Sequence, residues 1–281
     1  MDRRQFNTLA LLWGGLAAFA DSAQAEENSA LKKSRAQASS VKAHHDLMAA
    51  KDVKMLGNEQ IAMLMYPGFT ALDLVAPQYL FASMMGAKVY LLSSTNDLTP
   101  VMSDTGLAVA PTHTQSECPE HLDILFMPGS ANGVVEAMKN KSFIDFIKHK
   151  AASTKYLTSV CTGSLLLGQA GLLAGKRATS HWVTLDLLAK FGATPVKERV
   201  VWDGNVITGG GVTAGIDFGL QVVAALRGKT YAQALQLQAE YDPKPPYQSG
   251  SPDTADVFVK EVLKGMFEPL HVNLELLIQD G

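Results

Sequence analysis

The chain of 281 residues carries 24 Lys and Arg against 27 Asp and Glu, a formal net charge of −3, with 47% hydrophobic and 18% charged residues. This balance excludes a solvated disordered polymer, and a slight acidic excess with no basic block gives no electrostatic footprint for nucleic acid. Two cysteines, Cys118 and Cys161, are too few for a disulfide scaffold or a four-thiolate metal site.

Residues 1–25 (MDRRQFNTLALLWGGLAAFADSAQA) read as an address. An apolar run from Leu9 to Ala20 follows Arg3 and Arg4 and is too short for a bilayer, which takes about 20 residues; Ala23-Gln24-Ala25 then forms an A-x-A exit. The Arg3-Arg4-Gln5-Phe6 start resembles a twin-arginine export signal. It implies cargo folded before export, cleavage after Ala25 and work in the periplasm without membrane attachment; an uncleaved anchor is the alternative. Residues 26–56 are polar and rich in Ala, Ser and Lys, expected as a tether or a loosely attached helix. His44-His45 has no partner at metal-ligand spacing.

From residue 57 to 281 one α/β domain is expected. Gln60–Met65 is an apolar strand ending at Tyr66-Pro67-Gly68, and Thr70 opens a helix to about Met85. Strands follow at Lys88–Leu92, Leu122–Met127 and Tyr156–Val160. Helices are predicted near Val134–Met138, Ser142–Ser153, Thr162–Gly171, His181–Phe191 and Val212–Arg227. Two further strands, Glu198–Val201 and Val206–Thr208, flank the Asp203-Gly204-Asn205 turn. Such alternation predicts a mostly parallel sheet with helices on both faces, whose ligands sit beyond the carboxyl ends of the strands.

One of those ends is chemically distinctive. Leu157–Ser164 (LTSVCTGS) puts Cys161 where a buried strand turns into a helix, the elbow that exposes a nucleophile. Unpaired N–H groups and the positive end of the helix dipole favour a thiolate there, and Thr162, Gly163 and Ser164 are small enough to admit a substrate. Asp73 lies three residues beyond Thr70, where an acid suits the helix dipole; that local role suffices by itself. A catalytic role requires Asp73 to point across the sheet edge to Cys161. Gly209-Gly210-Gly211-Val212-Thr213-Ala214 satisfies a dinucleotide fingerprint but lacks the following strand with its acid, so a tight turn beside the site is preferred. The seven His offer no ligand pair, and no metal or cofactor is implied. Cys118 is the one available disulfide partner for Cys161, a pairing that would abolish the nucleophile.

Thr158–Trp182 (TSVCTGSLLLGQAGLLAGKRATSHW), Gly209–Phe218 (GGGVTAGIDF) and Gln236–Asp253 (QLQAEYDPKPPYQSGSPD), with Tyr66-Pro67-Gly68 and Leu72-Asp73-Leu74, resemble the DJ-1/PfpI family of the class I glutaminase-like superfamily, and within it the branch that hydrates isonitriles. The resemblance spans about Asn58 to Asp256. It implies a flavodoxin-like three-layer sandwich and a homodimer, for which apolar helices such as Val212–Leu226 are candidates. It implies Cys161 as nucleophile, Asp73 as acid and base, Thr162 as a neighbour needed for activity, and backbone donors at Gly129 and Ser130. The family favours a glycine pair at those two positions. Ser130 departs from it, which would strain a positive φ and narrow the substrate space. His181 is a candidate third member, and Gly163 and Gly210 border the site.

The chemistry implied is addition of water to a small-molecule isonitrile to give an N-substituted formamide, with Asp73 delivering a proton while the Cys161 sulfur adds. The N–H groups of Ser130 and Thr162 would meet developing charge. The alternatives are a non-catalytic ligand-binding or sensory module, or another Cys-dependent enzyme on the same fold, an amidase or a glyoxalase/deglycase. The last usually has Glu where Asp73 stands.

Overall fold

The computed structural model describes residue 26 and residues 28–280; the export signal expected over residues 1–25 lies outside the described residues. The chain divides into two units at Val53 and Lys54. In the first, residues 28–48 form a helix, α1, exposed along nearly all its length and carrying a Lys42–Asp46 ion pair at 2.6 Å. This is the segment for which a tether or a loosely attached helix was expected.

The second unit is built on a six-stranded sheet. Its strands are β1 (Gln60–Met65), β2 (Lys88–Ser93), β5 (Leu122–Met127), β6 (Thr154–Val160), β9 (Val200–Asp203) and β10 (Val206–Gly209), in spatial order β2-β1-β5-β6-β10-β9. All pairs are parallel except β10 with β9. Short pairs lie outside it: β3 (Val101–Met102) with β4 (Ala108–Val109), and β7 (Arg177–Ala178) with β8 (Thr194–Pro195). The helices are α2 (Ala71–Ala82), α3 (Gly133–Lys139), α4 (Lys141–Ala151), α5 (Gly163–Gln169), α6 (Ala214–Arg227), α7 (Lys229–Gln238) and α8 (Val257–Asp280). Contacts group α2, α6 and α7 on one side of the sheet and α3, α4 and α5 on the other, the expected three layers.

Strands buried on both faces explain the unbroken apolar runs. Ile61 to Met65 and Ile124 to Met127 are fully buried, each large side chain contributing about 1.5–3 kcal/mol relative to exposure. The register sets Met127 beside Ser159 and Gly209 beside Val160. The carboxyl ends of β5, β6 and β10 therefore finish level, and their loops converge.

Helix α2 reaches that convergence by packing closely on α6. A Cβ at Gly219 would stand 2.6 Å from Leu80 Cδ1, and one at Gly215 3.3 Å from the Pro77 ring. The opposite edge of the domain is held by Arg227, at the end of α6 and fully buried. Its guanidinium donates to the carbonyls of Lys54, Met55 and Met85 and pairs with buried Glu59.

One expectation is corrected. The helix predicted over His181–Phe191 is a run of turns and a 3-10 segment, Asp186–Phe191. The side chains of Ser180 and Thr184 take up backbone and hydroxyl partners there, in competition with a helical ladder. Helix α6 buries Phe218, Val222 and Val223 in the core. No helix among the described residues is long and apolar enough to cross a membrane.

Candidate active site

Cys161 follows the last residue of β6 and adopts φ +59°, a left-handed conformation that costs a non-glycine residue on the order of 1–3 kcal/mol. Hydrogen bonds on both sides of the residue hold it there. Its N–H donates to the carbonyls of Gly210 at 2.8 Å and Gly209 at 3.1 Å. Its carbonyl accepts from the Ser164 and Ser180 hydroxyls, each at 3.2 Å. The elbow expected from the sequence is present, and the Gly209–Gly211 turn is a brace for it. Gly163 opens α5 against β5, where an added Cβ would lie 2.3 Å from the Met127 carbonyl oxygen.

Asp73 does not cap its helix. Its side chain crosses to the β5 loop, where Oδ2 accepts from the Gly129 N–H at 2.9 Å, and Oδ1 is buried with no hydrogen bond of good geometry. The carboxylate and the Cys161 thiol act directly on each other. Gly129 sits between the two elements: a Cβ there would stand 2.5 Å from the Thr162 nitrogen and 2.8 Å from Cys161 Cβ.

Thr162 ties the same loop to the elbow, its hydroxyl accepting from the Ser130 N–H at 2.8 Å and donating to the Ser130 carbonyl at 2.7 Å. Tyr66 adds a third tie, donating to the Pro128 carbonyl at 2.9 Å. Ser130 has a φ open to any residue, so the strain anticipated for it is absent. Its Oγ is buried beside the Tyr66 hydroxyl without meeting hydrogen-bond geometry.

The electrostatics differ from expectation. Burial pushes the Cys161 thiol well above the ordinary thiol range, and the neighbouring Asp73 carboxylate adds to the shift; the N–H groups of Val212 and Thr162 act in the opposite direction but are outweighed. A resting thiolate, anticipated from the helix dipole, is thus disfavoured. Burial also pushes Asp73 up to about 7, against the lowering effect of the Gly129 N–H and Cys161. The donors nearest the sulfur belong to Thr162 and Val212, whereas the Ser130 N–H expected to share that work is bonded to Thr162.

His181 is neutral, burial pushing its imidazole down to about 4. Its Nδ1 accepts weakly from the Val183 N–H at 3.4 Å, and its ring packs against Trp182 and Phe267, each at 5.8 Å between centroids. Among the described residues no hydrogen bond joins it to Cys161 or Asp73, and it stands as a wall residue behind Gly211. A cleft of about 340 Å³ lies beside the elbow, lined by Ser180, Trp182, Gly210, Gly211, Thr213 and Pro252 among others. The Tyr241–Asp253 segment is fastened over it: Tyr241 donates to Asp217 at 3.0 Å and Lys197 pairs with Asp253. Both cysteines are free thiols, and among the described residues no group of three His, Cys, Asp or Glu is placed to hold a metal ion.

Sequence reasoning missed Ser180, Val212 and the Gly129 N–H that holds Asp73. The signal for Ser180 was the small polar run Thr179-Ser180 after a strand; the other two act through backbone and leave no side-chain trace.

A cysteine at a strand-to-helix corner beside a buried acid, on a parallel sheet wrapped on both faces, defines the DJ-1/PfpI class, and the model of the DJ-1/PfpI family matches residues 59–225; the chain belongs to this family. Isonitrile hydratase of Pseudomonas putida is 50% identical over 218 residues, 77% of this chain and 94% of that protein, which makes the chain its close homologue. The crystal structure of a ThiJ/PfpI family protein from Pseudomonas syringae, 49% identical, superposes with a TM-score of 0.79 over 81% of this chain and 93% of its own. A DJ-1 superfamily protein from Salmonella typhimurium, at 23% identity and a TM-score of 0.58, covers 66% of this chain and shares the fold.

Proposed function

We propose that the protein hydrates isonitriles, converting R–N≡C and water to the formamide R–NH–CHO. The observation that carries the reading is the buried Cys161–Asp73 pair, in a chain half identical to an isonitrile hydratase along most of its length. An isonitrile carbon must receive both a nucleophile and a proton. The thiol passes its proton to Asp73, whose pKa of about 7 suits it to both give and take near neutrality. As sulfur bonds the carbon, Asp73 returns that proton to the same carbon, leaving the thioimidate R–N=CH–S–Cys161.

Water then adds to that carbon, with Asp73 taking one of its protons and the nitrogen gaining one. The carbon–sulfur bond breaks, the formamide leaves, and the thiolate recovers its proton from Asp73. The N–H groups of Thr162 and Val212 steady the charge that passes through sulfur, in a site where burial strengthens each such contact. The cleft beside Ser180 and Gly210 receives the R group, and Trp182 supplies an apolar wall. The Arg3-Arg4 motif and the A-x-A exit support export to the periplasm.

The test is formamide production from a bulky alkyl isonitrile such as tert-butyl isonitrile. Wild type turns it over, Cys161→Ala abolishes turnover, and Asp73→Asn lowers it by about 10²–10⁴-fold. Failure of wild type to form the formamide, or full activity in Cys161→Ala, refutes the reading.

A further inference from the structure

Tyr66 follows the last residue of β1, its ring 6.2 Å from that of Phe143 and only 1% of its surface exposed. A phenylalanine would fill that apolar place with no polar atom to bury, and burying a hydroxyl costs free energy unless a partner offsets it. The hydroxyl donates to the Pro128 carbonyl at 2.9 Å. Burial pushes the phenol well above its ordinary range, so it stays protonated and remains a donor.

That carbonyl belongs to the same peptide group as the Gly129 N–H, which donates to Asp73 Oδ2 at 2.9 Å. The group is planar and trans, so its carbonyl and its N–H point in opposite directions, and Tyr66 and Asp73 hold the two ends of one rigid plane. The flanking residues leave that plane free to turn: the proline ring sets its own φ but not ψ, and glycine accepts φ of either sign. The next peptides have anchors of their own. The Gly129 carbonyl accepts from the Thr70 N–H at 2.8 Å, and the Ser130 N–H and carbonyl both engage Thr162. Donation into the Pro128 carbonyl also polarises the amide, which strengthens its N–H as a donor by about 10–30%.

We propose that Tyr66 is a positioning residue for the hydration, resting on the reading of Cys161 and Asp73 given above: its hydroxyl locks the Pro128–Gly129 peptide with the N–H aimed at Asp73 Oδ2. The carboxylate is the form that accepts the thiol proton, and it gains more from an N–H donor than the neutral carboxyl does. Without the phenol the peptide turns, the carboxylate loses its donor, and a higher pH is needed to ionise Asp73. The gap left behind is one bonded oxygen, too small for a water to restore the link. The titratable groups facing Asp73 are Cys161 at the elbow, Asp104 after β3 and Tyr66 itself, and Tyr66→Phe leaves the first two in place.

Two readouts test this: the pH dependence of kcat/KM for an alkyl isonitrile, and infrared titration of the Asp73 carboxyl band, identified by its loss in Asp73→Asn. In Tyr66→Phe the acid limb and the band midpoint both move up by about 0.5–1 pH unit, the effect of weakening one hydrogen bond to a charged group. Activity at pH 6 falls ~3–10-fold and returns to within ~2-fold of wild type at pH 9, where Asp73 is ionised in both. Phe143→Leu loosens the packing of the ring but keeps the hydroxyl; it melts earlier and leaves both midpoints in place. An ortho-fluorotyrosine at position 66, a stronger donor of nearly the same shape, moves them down, and it decides the matter if Tyr66→Phe does not fold. Midpoints that stay in place in Tyr66→Phe, or that do not move down with fluorotyrosine, overturn the proposal, as does a loss equal at every pH or the same displacement in Phe143→Leu. Absence of turnover in every chain, wild type included, refutes the isonitrile reading instead, and the carboxyl band still reports the hold of the peptide on Asp73.

Discussion

At pH 8 the carboxylate of Asp73 is a charge held in a dry place with one backbone donor. Its pKa of about 7 in the folded chain stands about 3 units above the ordinary value, equivalent to about 4 kcal/mol. The native state binds the proton more tightly than the unfolded one. The stabilising contribution is therefore complete below about pH 4 and disappears as pH rises through 7. Asp73→Asn has no charge to bury, so it should exceed wild type in stability at pH 8 by up to ~4 kcal/mol and lose that advantage at pH 4. His181, pushed down to about 4, has the reverse dependence, and the variant should itself weaken as pH falls from 6.5 to 4. Urea unfolding at pH 8, 6 and 4 measures both limbs; an advantage that does not change with pH would mean that Asp73 does not titrate as described. Cys161 and Asp73 were legible as residues because their types and spacings are local facts. The direction of the thiol's pKa was not, since burial is contributed by residues far away in the chain.

The elements show a similar division. Gln60–Met65 and Leu122–Met127 were readable to the residue because a buried parallel strand is a continuous apolar run bounded by turn residues. The 181–191 stretch misled, since its apolar spacing is helical while Ser180 and Thr184 engage backbone and each other. Helix α8 was not anticipated, although Val259, Val262, Leu263 and Met266 fall at helical spacing. The placement of Asp73 depends on how closely α2 lies against α6, and Gly219 sets that distance. Gly219→Leu should lift α2, pull the carboxylate from Gly129 and admit water. Turnover should then fall at least ~10-fold, since displacement of about 1 Å can cost more. The acid limb of its pH profile, where Asp73 must be ionised to accept the thiol proton, should move down toward the pKa of an ordinary carboxylate, and an unchanged pH–rate profile would show that α2 tolerates the displacement.

For the molecule as a whole, the fold brings together Asp73 and Cys161, 88 positions apart, and the Arg227 cluster closes the far side by joining the residues before β1 to the end of α6. Architecture of this kind was legible as a class from the strand–helix alternation; the level finish of β5, β6 and β10, which creates the site, is a matter of register and was not. The raised thiol pKa has a consequence for endurance. Oxidants and alkylating agents attack thiolates, and Cys118 and Cys161 are both buried and both shifted upward by burial. Iodoacetamide at pH 7.5 should label neither at an appreciable rate in the folded protein and both promptly in urea, with rapid native labelling of Cys161 the contrary result. In an oxidising compartment such as the periplasm proposed above, a sulfur that sheds its proton only to its own acid is shielded from peroxide between turnovers, and the enzyme ages slowly.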